Sequence, residues 1–273
     1  MSLVVRIGLL LVLGCLTSAL LADDDRPEPS QLYIGIAHNR LPYSLYAEKQ
    51  APTGILVQQL KKVCKQMNAQ CDFVTARFTK LQQELQTFQL NAVLVIDDVP
   101  LTDASTVTLT LSPPLCDITP VFIQRYHTHP GNQLDQFEDR VIGVLENSVF
   151  HHVLADLDQE RFKFKYKLYP ILESGIMDLV TQRIDALLTD KAFYQDRVAS
   201  TVLAKSGSDH QLMATQAQHL ELPKTSMRLM VRAKDQALSA TLKQTITAII
   251  PSQTCESLLA QPASRPNTLG TSN

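Results

Sequence analysis

The sequence predicts an α/β chain built as two successive units, each an open sheet flanked by helices. Three patterns predict it. Apolar runs and amphipathic stretches follow one another in the order β-α-β-α-β up to residue 96, and a similar order restarts at Val141. The run that ends the first series, Asn91 to Ile96, is apolar without alternation, as a strand covered on both faces must be.

Taken in order, Leu32 to Ile36 reads as the first strand. Leu56, Leu60, Val63 and Met67 recur at the spacing of one helical face. Cys71 to Ala76 follows as a strand. Thr79-Lys80-Leu81-Gln82 has the form of a capping box opening a helix that buries Leu81, Leu85 and Phe88. In the second unit Val141 to Leu145 is a strand, and Asn147 is a candidate cap for a helix burying Val149, Phe150, Val153, Leu154 and Leu157. Phe162, Phe164, Tyr166 and Leu168 alternate with Lys163, Lys165 and Lys167, which suits a half-exposed strand whose lysines protect an edge. A helix carrying Ile176, Met177 and Val180 leads to the strand Asp185 to Leu188. Met227 to Arg232 is a further strand, and Leu242, Ile246 and Ile249 mark a last helix stopped by Pro251. The units are joined through Ile118 to Arg125 and a return near His219 to Thr225.

The composition narrows the function. With 273 residues and 30.4 kDa, 45% apolar and 19% charged, the chain can bury real cores. A formal charge of −2 and a pI near 6.4 leave no basic field to hold a polyanion, so no nucleic-acid partner is expected. The absence of Trp and the 9 Gly argue against stacked-indole carbohydrate platforms and glycine-rich phosphate loops.

Residues 1–22 read as a signal peptide: Arg6, the apolar run Ile7 to Leu16, then small and apolar residues before Asp23-Asp24-Asp25. Cleavage after Ala22 and export to the periplasm are expected. The alternative is a lipoprotein anchored through Cys15, since Val12-Leu13-Gly14-Cys15 resembles a lipobox. Removing the leader leaves Cys64, Cys71, Cys116 and Cys255, an even number in an oxidising compartment, and two disulfides are plausible.

The segment Leu60 to Phe78, LKKVCKQMNAQCDFVTARF, resembles the periplasmic solute-binding proteins of family 3, particularly the lysine/arginine/ornithine- and histidine-binding members. Leu41-Pro42-Tyr43, Leu111-Ser112-Pro113-Pro114, Val144 to Ser148 and Arg183-Ile184-Asp185-Ala186 leading to Asp190 add to the likeness, which is spread over about residues 31 to 260. The resemblance implies the type II periplasmic-binding-protein fold: two lobes joined by two hinge strands, closing on a solute. It places the first lobe at 31–120 and 223–262 and the second at 121–222, and residues 263–273, rich in Pro, Ser, Thr and Asn, read as a frayed tail. It also implies a Cys64–Cys71 disulfide, with Cys116–Cys255 as a second pair supported by parity and by return of the C-terminal segment to the first lobe.

Open α/β sheets place ligands outside the carboxyl ends of their strands, and here acids stand at those ends. Asp190 matches the aspartate that holds a ligand ammonium in the family, and its other reading is a helix N-cap. The family's carboxylate-binding arginine has no counterpart, because Ser105 stands in its place, and Ala37 and Arg40 replace the first-lobe aspartate and stacking tyrosine. Either Arg40 supplies the lost cation from another wall, or Asp97 and Asp98 make the first lobe select a cationic solute. Those two acids read equally as a solvated turn. Tyr43 is an aromatic wall or a core residue, and Ser148 an anion-binding helix start or a cap. Glu146 and Tyr194 lie near matched positions. His127-x-His129 and His151-His152 do not converge as a metal site requires, so no metal and no cofactor are expected.

The expected function is a periplasmic solute-binding protein, a monomer rather than an enzyme. It would capture a small polar solute, amino-acid-like or cationic, by hinge closure and deliver it to the membrane permease of an ABC-type importer. The alternatives are a sensing or scaffolding module for a membrane receptor and a cyclohexadienyl-dehydratase-like enzyme on the same scaffold.

Overall fold

A computed structural model describes residues 30–37, 40–45, 51–96, 107–128, 130–157, 162–205, 211–217 and 225–260. The leader, Asp97 and Asp98, Ser105, His129, the return near 219–224 and the tail lie outside the described residues.

Two mixed sheets repeat one plan. In the first, β1 (Ser30–Ala37), β2 (Ala69–Ala76), β3 (Ala92–Ile96), β4 (Leu109–Leu111) and β11 (Ser226–Arg232) lie in the order β2-β1-β3-β11-β4, and β5 (Cys116–Asp117) also pairs with β11. In the second, β6 (Pro120–Arg125), β7 (Val141–Leu145), β8 (Lys165–Tyr169), β9 (Ala186–Asp190) and β10 (Leu212–Gln216) lie in the order β10-β6-β9-β7-β8. Strand β3 runs parallel to β1, and β7 parallel to both β8 and β9. An antiparallel strand follows on the far side of each: β11 beside β3, β6 beside β9. Each sheet therefore has a switch point, between β1 and β3 and between β7 and β9, where crevices form outside strand ends.

Helices cover both faces. Helix α1 (Ile55–Gln66) and helix α6 (Gln236–Ile249) bury Leu56, Leu60, Val63, Leu242 and Ile246 in one cluster with Ala92, Leu94, Ile96, Leu229 and Val231. Helix α2 (Phe78–Gln86) buries Leu81 and Leu85 against Val93, Val95 and Met230 on the opposite face, the alternation that a strand dictates. The second sheet carries helix α3 (Val149–Asp156) against Ile142, Val144 and Phe122, with helices α4 (Leu172–Val180) and α5 (Lys191–Arg197) against Ile123 and Leu187.

One device recurs in both lobes. Arg232, ending β11, donates through Nη1 to the carbonyls of Leu85 and Leu90 at the end of α2, at 2.6 and 2.5 Å. Arg125, ending β6, donates through Nη1 to the carbonyls of Leu179 and Ile184 around the end of α4, at 2.7 and 2.9 Å. Each buried guanidinium bonds one carbonyl in the last turn of a helix and one shortly beyond it, at the negative end of the helix dipole.

Both disulfides are present. Cys64–Cys71 ties α1 to β2, and Cys116–Cys255 ties β5 to the 3-10 helix Cys255–Ala260.

Several expectations need correction. Helix α2 starts one residue before Thr79, with Arg77 as N-cap and no side-chain cap, and Phe88 is 54% exposed at φ 65°, just past the helix. There it stacks under Arg232 and Lys234 at 4.5 and 3.6 Å, so its ring is used as a cation platform. Ser148, not Asn147, caps α3, because Asn147 adopts φ 56°, and Val153 and Leu157 are only half-buried. Met177 is 62% exposed, and Gly175, Ile176 and Leu179 form the inner stripe of α4. Leu168 is exposed and Tyr169 buried, because the edge strand β8 ends its alternation there. The connection Ile118 to Arg125 contains a full strand of the second sheet, β6, and β10 carries no alternation that would single it out.

Candidate functional site

The site is built at the carboxyl ends of β1 and β9. After β1 the chain makes a tight turn in which Tyr43 and Ser44 both donate their backbone N–H to the Arg40 carbonyl, at 2.8 and 2.9 Å. The Ser44 hydroxyl donates to the Ala37 carbonyl at 2.9 Å and pins the turn to the strand end. The turn in turn starts α1: the carbonyls of Pro42 and Tyr43 accept the first helical N–H groups, from Ile55 and Leu56, at 3.1 and 3.2 Å. Gly54 makes this possible, since it holds φ 125° and a Cβ there would lie 2.3 Å from the Tyr43 carbonyl oxygen. Tyr43 is thus fixed by backbone bonds on both sides and is almost wholly buried.

From the other sheet, Asp190 ends β9 and caps α5. Its Oδ1 accepts the Phe193 N–H at 2.8 Å and the Tyr43 hydroxyl at 2.7 Å. One oxygen atom of Asp190 therefore both caps α5 and receives a side chain from the first sheet's end. Only 9% of Asp190 is exposed, and burial pushes its carboxyl above the ordinary carboxylate range. The Phe193 N–H, the Tyr43 hydroxyl and the Arg40 charge oppose that push, and Glu256 adds to it. Burial, then the Asp190 charge, raises the Tyr43 phenol well above its usual value, which keeps it a donor. Arg40 is half-buried, and burial lowers its pKa while Tyr43 and Asp190 hold it up; a guanidinium stays charged regardless. Its guanidinium makes no hydrogen bond to a described residue.

Beside this pair lies a group that no sequence pattern announced. Glu256 accepts the Thr119 hydroxyl on Oε1 at 2.9 Å, and Lys191 Nζ stands 3.6 Å from the same atom. Its Oε2 is buried with no hydrogen-bond partner among the described residues. The one available signal was position: Glu256 follows Cys255, which its disulfide holds next to the chain crossing at Cys116 to Pro120.

The other candidates fall as follows. Ser148 sits at the carboxyl end of β7, where its hydroxyl donates to the Leu145 carbonyl at 2.7 Å and accepts the His151 N–H at 3.1 Å, both in the service of the cap. Glu146 is exposed and Tyr194 half-buried. Asp97 and Asp98 lie outside the described residues. The His151 and His152 rings stack at 5.3 Å, and His151 Nδ1 accepts the Asn147 N–H at 3.2 Å. Among the described residues no group of three or more His, Cys, Asp or Glu side chains could hold a metal ion. Among them, too, no helix is long and apolar enough to cross a membrane.

Residues 32–261 match the family model of the bacterial extracellular solute-binding proteins, family 3. The arginine-binding periplasmic protein of Mannheimia haemolytica is 28% identical over 182 residues, which span 67% of this chain and 68% of that protein. Among solved structures, an ancestral arginine-binding protein bound to arginine superposes with a TM-score of 0.62 at 15% identity, covering 82% of this chain and 93% of its own. The periplasmic VFT2 domain of Bordetella pertussis BvgS superposes with a TM-score of 0.62 at 16% identity, covering 84% and 90%. An ancestral amino-acid-binding protein described as a precursor of cyclohexadienyl dehydratase gives 0.60 at 13% identity, covering 81% and 89%.

Proposed function

The chain belongs to the bacterial extracellular solute-binding proteins of family 3, and from that premise we propose that it captures a small polar solute, amino-acid-like or cationic, between its two lobes. The observation that carries this reading is Asp190: a carboxylate at the carboxyl end of β9, buried yet met from the opposite sheet. A carboxylate so placed binds an ammonium or guanidinium by a charge-assisted bond, stronger than a neutral one. Arg40, whose charge acts on the same carboxylate, supplies the cation for a solute carboxylate in place of the missing family arginine. Tyr43 and Ser148, which follows β7, are further proposed contacts, and Asp97 and Asp98, next after β3 in the sequence, are proposed acids for a cationic solute. The arginine-binding relative makes basic amino acids the first solutes to try.

In this proposal the mature chain begins after Ala22 and works in the periplasm as a monomer without catalysis. Residues 31–120 and 223–262 form one lobe, residues 121–222 the other, and the closed form docks on a permease of the ABC import type. A second reading, a ligand-sensing module of a membrane receptor, is favoured by one observation: the protein's own Tyr43 already occupies Asp190, as suits a domain whose closure is read as a signal.

Ligand binding to the folded state raises its melting temperature by mass action. The expected result is a saturable rise in Tm with at least one member of a panel of amino acids, amines and small organic anions. A panel that moves nothing contradicts solute capture.

A further inference from the structure

Two side-chain contacts among the described residues tie the lobes together, and they flank a single peptide bond. Asp190 takes the Tyr43 hydroxyl at 2.7 Å, and the next residue, Lys191, faces Glu256 at 3.6 Å. Glu256 belongs with the first lobe, because the Cys116–Cys255 disulfide and the Asp117–Thr254 bridge hold its segment beside β5. Ala192 adds an apolar seam, packing in one cluster with Cys255 and Leu258.

The contacts are not equal. The phenol-to-carboxylate bond is short, buried and charge-assisted, so it carries the greater weight. The Lys191–Glu256 pair is longer and its lysine is 44% exposed, so by itself it contributes little. Glu256 nevertheless reaches Thr119, at the start of the chain crossing between the sheets, and the Thr119 carbonyl accepts the Lys191 N–H at 2.9 Å. Glu256, Thr119 and Lys191 hold the start of α5 where Asp190 can meet Tyr43.

We propose that Tyr43 is a tethered stand-in for the solute's cation, closing the lobes onto Asp190 from within, so that a solute enters by exchange with the Tyr43 hydroxyl and not by shutting an open cleft. The proposal rests on the reading of Asp190 as the solute anchor and narrows the solute class. An incoming group must outcompete a buried phenol for a carboxylate, which an ammonium or guanidinium does and a neutral hydroxyl does not. Glu256 is a positioning residue in this scheme.

Small-angle scattering without added solute tests it, with wild type, Tyr43→Phe and Tyr43→Phe/Glu256→Gln compared. The wild-type curve matches the structure in which Tyr43 meets Asp190, and the variants expand, the double variant more. A wild-type curve already expanded, or variants that scatter like wild type, overturn the proposal. Titration with L-arginine is the second arm. A state that must first release Tyr43 binds with an affinity reduced by its population, so Tyr43→Phe tightens binding by about tenfold, the worth of one hydrogen bond to a charged group. Binding weakened in Tyr43→Phe overturns the exchange. Silence of every amino acid and amine in both proteins sinks the solute reading instead and leaves the scattering result to decide whether Tyr43 closes the lobes.

Discussion

Asp178 and Asp190 are both buried carboxylates, and their surroundings drive them in opposite directions. Asp178 accepts Lys167 Nζ at 2.7 Å, the Tyr169 hydroxyl at 2.8 Å and Arg183 Nη1 at 3.1 Å, which hold its pKa down to about 2. Asp190 has one N–H, one hydroxyl and the Arg40 charge against its burial, and its pKa is raised. Linkage then gives opposite signs. The stabilisation from Asp178 is present above the ordinary carboxylate pKa of about 3.9 and is lost as pH falls through its folded value. The contribution from Asp190 is complete below that ordinary value and is lost as pH rises through its raised folded value. Asp178→Asn should therefore lower Tm at neutral pH, with the deficit vanishing in acid. Asp190→Asn keeps an oxygen for both donors and should raise Tm at neutral pH, with the gain vanishing in acid. Melting curves from pH 2 to 8 check both, and parallel shifts at all pH values would contradict the assignment.

At the scale of elements, the two disulfides sit at opposite extremes of loop length. The bridge between α1 and β2 spans a separation of 7 residues, and the one between β5 and the C-terminal 3-10 helix spans 139. In the chain-entropy model these contribute about 2.5 and about 5 kcal/mol. Cys116→Ser/Cys255→Ser should lower the urea midpoint about twice as far as Cys64→Ser/Cys71→Ser, since the second bridge also anchors Glu256. Equal losses would mean that loop closure is not what the bridges supply. The same scale shows what the sequence could reveal. Helix α1 and strand β3 were legible because Leu56, Leu60 and Val63 share a face and Ala92 to Ile96 are all buried. Strand β10 was not, because it pairs with β6 at the sheet edge and only Leu212 of its five residues is fully buried. The start of α2 was misread because its N–H groups are left uncapped by side chains while Thr79 lies inside the helix. The Tyr43–Asp190 bond was legible only by halves: each residue stood at a strand end, but they lie 147 residues apart and nothing local joins them. Glu256 was invisible for the same reason.

For the molecule as a whole, the repeated sheet plan brings the carboxyl ends of β1 and β9 together across the line where the lobes meet. In the proposed function, that meeting makes the binding cleft, from residues that are otherwise an N-cap and a turn tyrosine. The charges gathered there are Asp190 and Glu256 on one side of the balance, Arg40 and Lys191 on the other. In the proposed function such a site suits a solute that carries its own charges, and the proposed grip depends on Asp190, the carboxylate that Tyr43 meets from the first lobe. Isothermal titration of wild-type and Asp190→Asn protein with basic amino acids and amines tests this most directly. Saturable heat from at least one of them in wild type, absent from Asp190→Asn, is the predicted result. Equal heat from both proteins, or none from wild type, would contradict it.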